Sequence, residues 1–327
     1  MREFQVCPGD EGQTVYKYVC KILSDAPSSV IRKALRKKNI DLNGHRTDGS
    51  ESLQKGDLVR IWFSEETFQK FAPCRGKSGP SERVVSQNDL SQFRSNIIFE
   101  DENILLINKP AGLLTQEDGS ASICLNDILR EYAGDRGGTV RPSACNRLDR
   151  NTSGLVICGL TVKGLQRMSE ILKDRSLHKY YRALVFGTMQ EAVRLKGYLI
   201  KDRKNNEVHI VAHSLDKDAL PIETELVPDR NFQVKGIACS SLKVLLVTGR
   251  PHQIRAHLQS IGHPIIGDPK YFTEESRLAG RRLGVKRQLL HSETLIMPEM
   301  SGEFAALSGR TFRAELPRDM AKIMGER

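Results

Sequence analysis

Residues 146–161 read NRLDRNTSGLVICGLT: one carboxylate between two arginines, a Thr-Ser-Gly sequence read as a turn, and then an apolar run. The second half, SGLVICGLT, has the aliphatic and β-branched content of a strand. The first half has two readings. Arg-Asp pairs on surfaces are common and carry little energy. An aspartate held beside cations, however, stays ionised, which suits a nucleophile or a base rather than an acid. Asp149 lies between Arg147 and Arg150, and the rest of the chain must decide between the two.

Working outward, Ile97–Phe99 and Ile104–Ile107 form two short apolar runs separated by an acidic turn, the second ended by Lys-Pro-Ala-Gly at 109–112. YYRALVFG (180–187) and SSLKVLLVTG (240–249) are further strand candidates. KGLQRMSEILKD (163–174) spaces Leu165, Met168, Ile171 and Leu172 helically, and SICLNDILREYAG (122–134) and HQIRAHLQSIG (252–262) also read as helices. Strands outnumber helices without a regular β-α-β alternation, so the expected class is α+β with a largely antiparallel sheet flanked by helices.

The front of the chain reads as a small α/β unit of its own, residues 1–64. TVYKYVCKIL places Val15, Val19, Ile22 and Leu23 on one helical face. SDAPSS (24–29) offers a cap for VIRKALRKKNI, whose stripe is Val30, Ile31, Ala34 and Leu35. Arg32, Lys33, Arg36 and Lys37 occupy the other side. Five positive charges stand between Arg32 and Lys38 with no acid among them. A solvated helix exterior would explain a basic face, but such crowding favours a polyanionic partner. Asn43-Gly44 is a tight-turn signal, and KGDLVRIWF (55–63) reads as a turn followed by a strand. Residues 65–93, polar and without sustained periodicity, read as a linker, leaving 94–327 as the main domain. RGKSG (75–79) within that stretch fails as a phosphate loop, because Phe71 stands where the first glycine is required.

Composition narrows the classes. The 327 residues carry 50 Lys and Arg against 40 Asp and Glu, a formal charge of +10, which points to nucleic acid before membrane. No apolar run reaches membrane-spanning length, and the N-terminus lacks a secretory stretch. Seven cysteines without a C-x-x-C pair argue against a disulfide framework or structural zinc, and make a reducing cytoplasm the expected setting.

Three familiar chemistries fit poorly. His252, His257, His263 and His291, with Asp268, suggest a metal site. In a helix, though, His252 and His257 would stand about 140° apart, whereas zinc pairs use a spacing of three or four. Core or RNA-facing histidines are the better reading, and no metal is expected. Ser153, Asp149 and a histidine could make a hydrolase, yet no G-x-S-x-G elbow is present. A glycosidase would need a second acid near Asp149.

Taken in order, ILLINKPAG, RLDRNTSGLVI, KYYRALVFG, TGRPHQIRAHLQSIGHPIIGDPKY and RQLLHSETL closely resemble the RluA-type pseudouridine synthases, across roughly 95–320. The front unit, about 13–60, resembles the RNA-binding module named after ribosomal protein S-four, which often precedes this catalytic domain. The resemblance implies a pseudouridine synthase fold and the conversion of RNA uridine to pseudouridine with no cofactor, metal or cosubstrate. It makes Asp149 the catalytic aspartate, Tyr181 of the K-x-Y pattern the ring that packs on uracil, and Arg255 the cation that pairs with Asp149. Arg147 would fill the space of the flipped uridine, with Arg150 and His252 as further RNA contacts. Asn146 departs from the family, which usually has histidine there. The expected partner is RNA, large-subunit ribosomal RNA ahead of tRNA, for a cytoplasmic protein that is a monomer by default. A non-catalytic ribosome-assembly factor is the rival, but Asp149, Tyr181 and Arg255 are all intact.

Overall fold

The computed structural model describes residues 1–72, 83–134, 139–202, 207–211 and 219–325, and the rejected RGKSG motif lies outside them. Chain contacts divide it into two compact units. The first comprises Met1–Leu106, Gln116–Asn146 and Ile157–Glu170; the second comprises Ile107–Thr115, Arg147–Val156 and Ile171–Arg327.

At the front of the first unit, strands β1 (Arg2–Gln5), β2 (Ile40–Leu42), β3 (His45–Arg46) and β4 (Leu58–Ile61) form a sheet in the order β1-β4-β2-β3. Asn43 and Gly44 join β2 to β3 with φ values of 54° and 80°, the mirror-image turn that matches strand twist. Helix α1 (Val15–Ile22) buries Val15, Tyr18 and Val19, and helix α2 (Ser28–Arg36) buries Ile31, Ala34 and Leu35. Ile22 and Val30, expected on these stripes, are only half-buried. The cap expected from SDAPSS is absent as a side-chain bond: Pro27 occupies the position and offers no side-chain acceptor. Two short helices stand in the segment that lacks periodicity, α3 (Glu65–Phe71) and α4 (Gln87–Ser95). Each buries only one or two residues (Phe68; Leu90 and Phe93), too few to write a repeat. What fixes their starts is capping, by Ser64 on Thr67 N–H and by a reciprocal Ser86–Asp89 box.

The remaining strands are β5 (Ile97–Glu100), β6 (Ile104–Lys109), β7 (Ser143–Ala144), β8 (Ser153–Gly159), β9 (His178–Phe186), β10 (Val193–Asp202), β11 (Glu207–Val211), β12 (Leu220–Val234), β13 (Ile237–Leu246), β14 (Leu290–Ile296) and β15 (Thr311–Arg313). They form one eleven-stranded sheet with the path β11-β10-β12-β13-β9-β14-β8-β6-β5, β15 joining β14 and β7 joining β8. Helices α5 (Leu125–Ala133), α6 (Val162–Lys173), α7 (Gln253–Ser260), α8 (Glu274–Leu283) and α9 (Arg318–Met324) accompany it. The class is α+β, as the strand-rich pattern predicts.

In the second unit the pairings among β9 to β15 are antiparallel, and β14 pairs parallel with β8, where His291 lies opposite Ser153 and Ser292 opposite Gly154. Gly154 is the residue that permits this approach. A Cβ there would stand 2.3 Å from the Ser292 carbonyl oxygen, and its φ of +113° excludes other residues as well. Thr-Ser-Gly is therefore not the turn expected from sequence. The turn closes one step earlier, where Thr152 N–H bonds to the Asp149 carbonyl at 3.0 Å, and Ser153 already begins β8.

His257 and His291 are buried, and burial pushes each down to about 4. The unfolded chain takes up these protons near the ordinary value of 6.5, so between 6.5 and 4 it binds more protons than the native state. Stability therefore falls as pH falls through that window, by up to about 1.4 kcal/mol per pH unit for each histidine. Denaturant titrations at pH 7 and pH 5 are expected to show this loss, with His291→Gln reducing the dependence by about one proton.

Candidate active site

The segment 147–152 is pinned at almost every residue. Thr115 Oγ1 donates to the Leu148 carbonyl at 2.9 Å and accepts from its N–H at 3.2 Å. Gly112 N–H and Lys109 Nζ both reach the Arg150 carbonyl, at 2.8 and 3.2 Å. Arg287 donates to the Asn151 carbonyl at 3.2 Å while its guanidinium grips Asp319 through two bonds of 2.6 and 2.7 Å. Lys109 is fully buried, and its three protons meet three carbonyls, those of Pro110, Leu113 and Arg150. Burial lowers its pKa to about 7, with the negative charge of Asp149 opposing the shift. The Lys-Pro-Ala-Gly run thus works as a staple behind the aspartate.

The charged neighbours in sequence do not pair with Asp149. Arg147 is exposed and has no hydrogen bond or ion pair among the described residues. Arg150 turns its Nε to the Gly112 carbonyl at 3.0 Å. The partner is Arg255 on the first turns of α7, whose Nη1 meets Asp149 Oδ2 at 2.9 Å. Arg255 is itself held by Asp268, through Nε–Oδ2 at 2.7 Å and Nη2–Oδ1 at 2.8 Å. Burial works against the Arg255 charge, and the two carboxylates outweigh it, so its pKa rises. The Asp268 side chain is wholly buried and also accepts the Lys270 and Tyr271 N–H groups at 2.9 and 3.0 Å. Asp149 by contrast keeps 28 % of its side chain exposed. Its Oδ1 has no hydrogen bond among the described residues, which leaves that oxygen available to a substrate.

His252 completes this face. It sits just ahead of α7 in a left-handed conformation, φ 53°, rather than in the helix. The Tyr271 hydroxyl accepts from Val208 N–H at 2.8 Å and is hydrogen-bonded to His252 Nδ1 at 3.0 Å. The other ring nitrogen, Nε2, stands 3.8 Å from Asp149 Oδ2. Burial, ahead of the charges around it, lowers the His252 pKa and keeps the ring neutral near pH 7. Tyr181, on β9, is 5 % exposed, and burial pushes its phenol up to about 12 with the charge of Asp149 nearby adding to the effect.

Asp149, Tyr181, Arg255 and His252 therefore share one site, and Arg147 borders it in the chain. Arg32, Lys33, Arg36 and Lys37 lie on the exposed face of α2, with no carboxylate partner among the described residues, Arg32 standing over the Tyr16 ring at 5.2 Å. The other histidines do not converge. His257 Nδ1 meets Thr224 Oγ1 at 2.8 Å and His263 Nδ1 meets the Phe186 carbonyl at 3.2 Å. His291 bridges Ser153 Oγ at 2.9 Å and the Ala314 carbonyl at 3.3 Å, a buried pair closed to substrate. No group of three metal-ligating side chains is arranged for an ion among the described residues. Sequence reading missed Tyr271 and weighed Asp268 only as a ligand; the spacing of thirteen residues from Arg255 gives no local sign of their pairing.

Residues 103–260 match the family described as RNA pseudouridylate synthase. A curated relative from Pasteurella multocida, named ribosomal large subunit pseudouridine synthase C, is 30% identical over 324 residues, covering 97% of this chain and 90% of its own length. Its namesake from Salmonella typhimurium is 29% identical over 326 residues, covering 97% of this chain and 92% of the relative. Among solved structures, human RNA pseudouridylate synthase domain containing 4 superposes with a TM-score of 0.58 at 20% identity, over 72% of this chain and 94% of that one. The small front sheet with its two helices is consistent with the S-four-like module. The chain belongs to the RluA family of pseudouridine synthases, enzymes that isomerise uridine in RNA.

Proposed function

We propose that this enzyme modifies uridines in large-subunit ribosomal RNA, with Asp149 as the catalytic carboxylate. One observation carries the residue assignment: a half-open carboxylate whose Oδ2 is tied to a buried arginine and whose Oδ1 has no hydrogen bond among the described residues. Isomerisation breaks the bond from ribose to nitrogen, rotates the base and rejoins it through carbon five, with no net redox change. Three routes are open to such an aspartate: attack at the anomeric carbon, addition to the uracil ring, or removal of the ribose two-prime proton. Each begins from an ionised carboxylate with an unoccupied oxygen. Arg255 orients the carboxylate through one oxygen, its planar fork holding two carboxylates at once.

Extruding the uridine costs a few kcal/mol of stacking. Tyr181 returns about 1–3 kcal/mol by packing on the base, and Arg147, uncommitted to any group among the described residues, fills the vacated place. The ribosomal target is supported by the names of relatives that span most of this chain. A tRNA target is the second reading. The basic face of α2, with no acid paired to it among the described residues, adds affinity through phosphates, and Arg150 and His252 are further candidate RNA contacts.

Asp149→Asn is expected to abolish pseudouridine formation while RNA binding stays within a few fold; near-normal turnover in that variant would overturn the mechanism. Asp268→Ala strands Arg255 with a single partner and should cost about 3–5 kcal/mol of stability by urea titration. Replacing Arg32, Lys33, Arg36 and Lys37 together with Gln should flatten the salt dependence of RNA binding, by up to about 0.7–0.9 in logarithmic slope for each phosphate no longer neutralised. An unchanged slope removes the front module from the RNA interface. Pseudouridine mapping of all cellular RNA with and without the gene names the target: loss in large-subunit ribosomal RNA is expected, and loss confined to tRNA selects the second reading.

A further inference from the structure

Lys179 begins the K-x-Y pattern on β9, two residues before Tyr181 and on the same face of the strand, about 6.6 Å along it. It is only 7 % exposed, yet its ammonium has no hydrogen bond or ion pair among the described residues. That is unusual company for a charge, since buried lysines are ordinarily paired. Burial lowers its pKa, and the charged neighbour acting on it, Arg175, is another cation that pushes the same way.

The ammonium emerges beside Gly249. A Cβ built on that glycine would lie 3.7 Å from Lys179 Nζ, and residue 249 is exposed, so the missing side chain leaves the ammonium facing open space. The Gly249 N–H makes no hydrogen bond among the described residues. The next residue, Arg250, has its Nε buried without a partner. Two unsatisfied donors thus stand on consecutive residues of this turn, with the Lys179 ammonium of β9 beside the first of them.

The turn is rigid. Gln253 uses both ends of its amide to fix it: Oε1 accepts from Thr248 Oγ1 at 2.8 Å and Arg250 N–H at 3.1 Å, and Nε2 donates to the Glu223 carbonyl and Thr224 Oγ1, both at 2.9 Å. Four bonds on one buried glutamine pre-organise the backbone, so little entropy is left to lose when an anion arrives. The same turn leads two residues later to His252, which faces Asp149.

We infer that Lys179, the Gly249 N–H and Arg250 form a seat for one RNA backbone phosphate, adjacent to the nucleotide whose base reaches Tyr181. It rests on the assignment of Tyr181 and Asp149 to the reaction. A phosphate supplies what each donor lacks: oxygens for three N–H groups and a counter-charge for the ammonium. It also fixes the register of the strand, since a base on Tyr181 and a phosphate on Lys179 define where along the RNA the ribose must lie. Inorganic phosphate shares this chemistry, and the seat is committed to RNA by its place one strand step from Tyr181, the ring assigned to the base.

The test uses the full-length enzyme and total RNA from cells lacking the gene, so that substrate is present whether ribosomal or transfer. Pseudouridine formation by the wild type on this RNA checks the activity separately from the seat. Lys179→Met is expected to raise KM about tenfold or more at moderate salt, with a smaller effect on kcat. It should also reduce the logarithmic salt slope of kcat/KM by about 0.7, the value of a single neutralised phosphate. Lys179→Arg should restore most of both. Gly249→Ala, which introduces only an ordinary contact at 3.7 Å and no backbone strain, should raise KM by crowding the anion while melting like the wild type. Inorganic phosphate, compared with chloride at equal ionic strength, should inhibit the wild type competitively and Lys179→Met less. If Lys179→Met keeps the wild-type KM and salt slope, or loses only kcat or melting temperature, the residue is structural and the seat is wrong. Phosphate inhibition equal in both proteins, or a KM in Gly249→Ala like that of the wild type, also counts against it.

Discussion

The site depends on a guanidinium buried between two carboxylates. Arg255 is almost wholly removed from water, which no charge tolerates without compensation. Asp268 supplies that compensation through two bonds and is itself satisfied by two backbone N–H groups. Asp149 accepts only the remaining bond. The inequality matters. Asp268 anchors the arginine, and the arginine then presents a fixed charge to an aspartate that still has an oxygen to spare. If Asp149 carried the structural load, it would be less free to react.

Holding a reactive aspartate half-exposed on a loop requires the loop to be rigid by other means. Lys109, Thr115 and Arg287 each bond to backbone within 148–151 and leave the Asp149 side chain alone. The cost is a fully buried lysine, met by giving each of its protons a carbonyl. Gly154 then lets β8 lie against β14 at a distance no side chain allows, so the end of the loop is fixed as firmly as its middle. Backbone pinning of this kind orients a carboxylate without spending its lone pairs.

Apart from the buried cations that hold the site together, the positive charge assigned to RNA falls into two kinds. Arg32, Lys33, Arg36 and Lys37 are solvated and spread along a helix, a geometry that gives strength to any phosphate backbone and selects no particular one. Lys179 and Arg250 are different: Lys179 is mostly buried, and Arg250 is partly buried on a turn that a saturated glutamine fixes. Diffuse charge attracts RNA, and located charge sets where the chain of the RNA stops relative to Asp149.

Much of this was legible in the residues. Apolar runs and helical stripes announced the α+β class, because burial imposes periods of two and 3.6 on any chain that folds this way. Asn43-Gly44 announced its turn through backbone preference alone, and the ordered motifs from Lys109 to His291 pointed to the family and to Asp149, Tyr181 and Arg255. Other features were silent. The helices α3 and α4 bury too little to leave a pattern, and the role of Gly154 follows from a strand 138 residues away, at His291 opposite Ser153. The apparent trio Arg147–Asp149–Arg150 is ambiguous by itself for the same reason: neighbours in sequence compete equally on paper, and it took the family resemblance to name Arg255, which the fold brings in from 106 residues along. Sequence determines which groups are present and what each will not tolerate, such as an unpaired buried charge. Which groups meet is decided by tertiary structure, since pairing depends on distance through space and chain separation does not encode it.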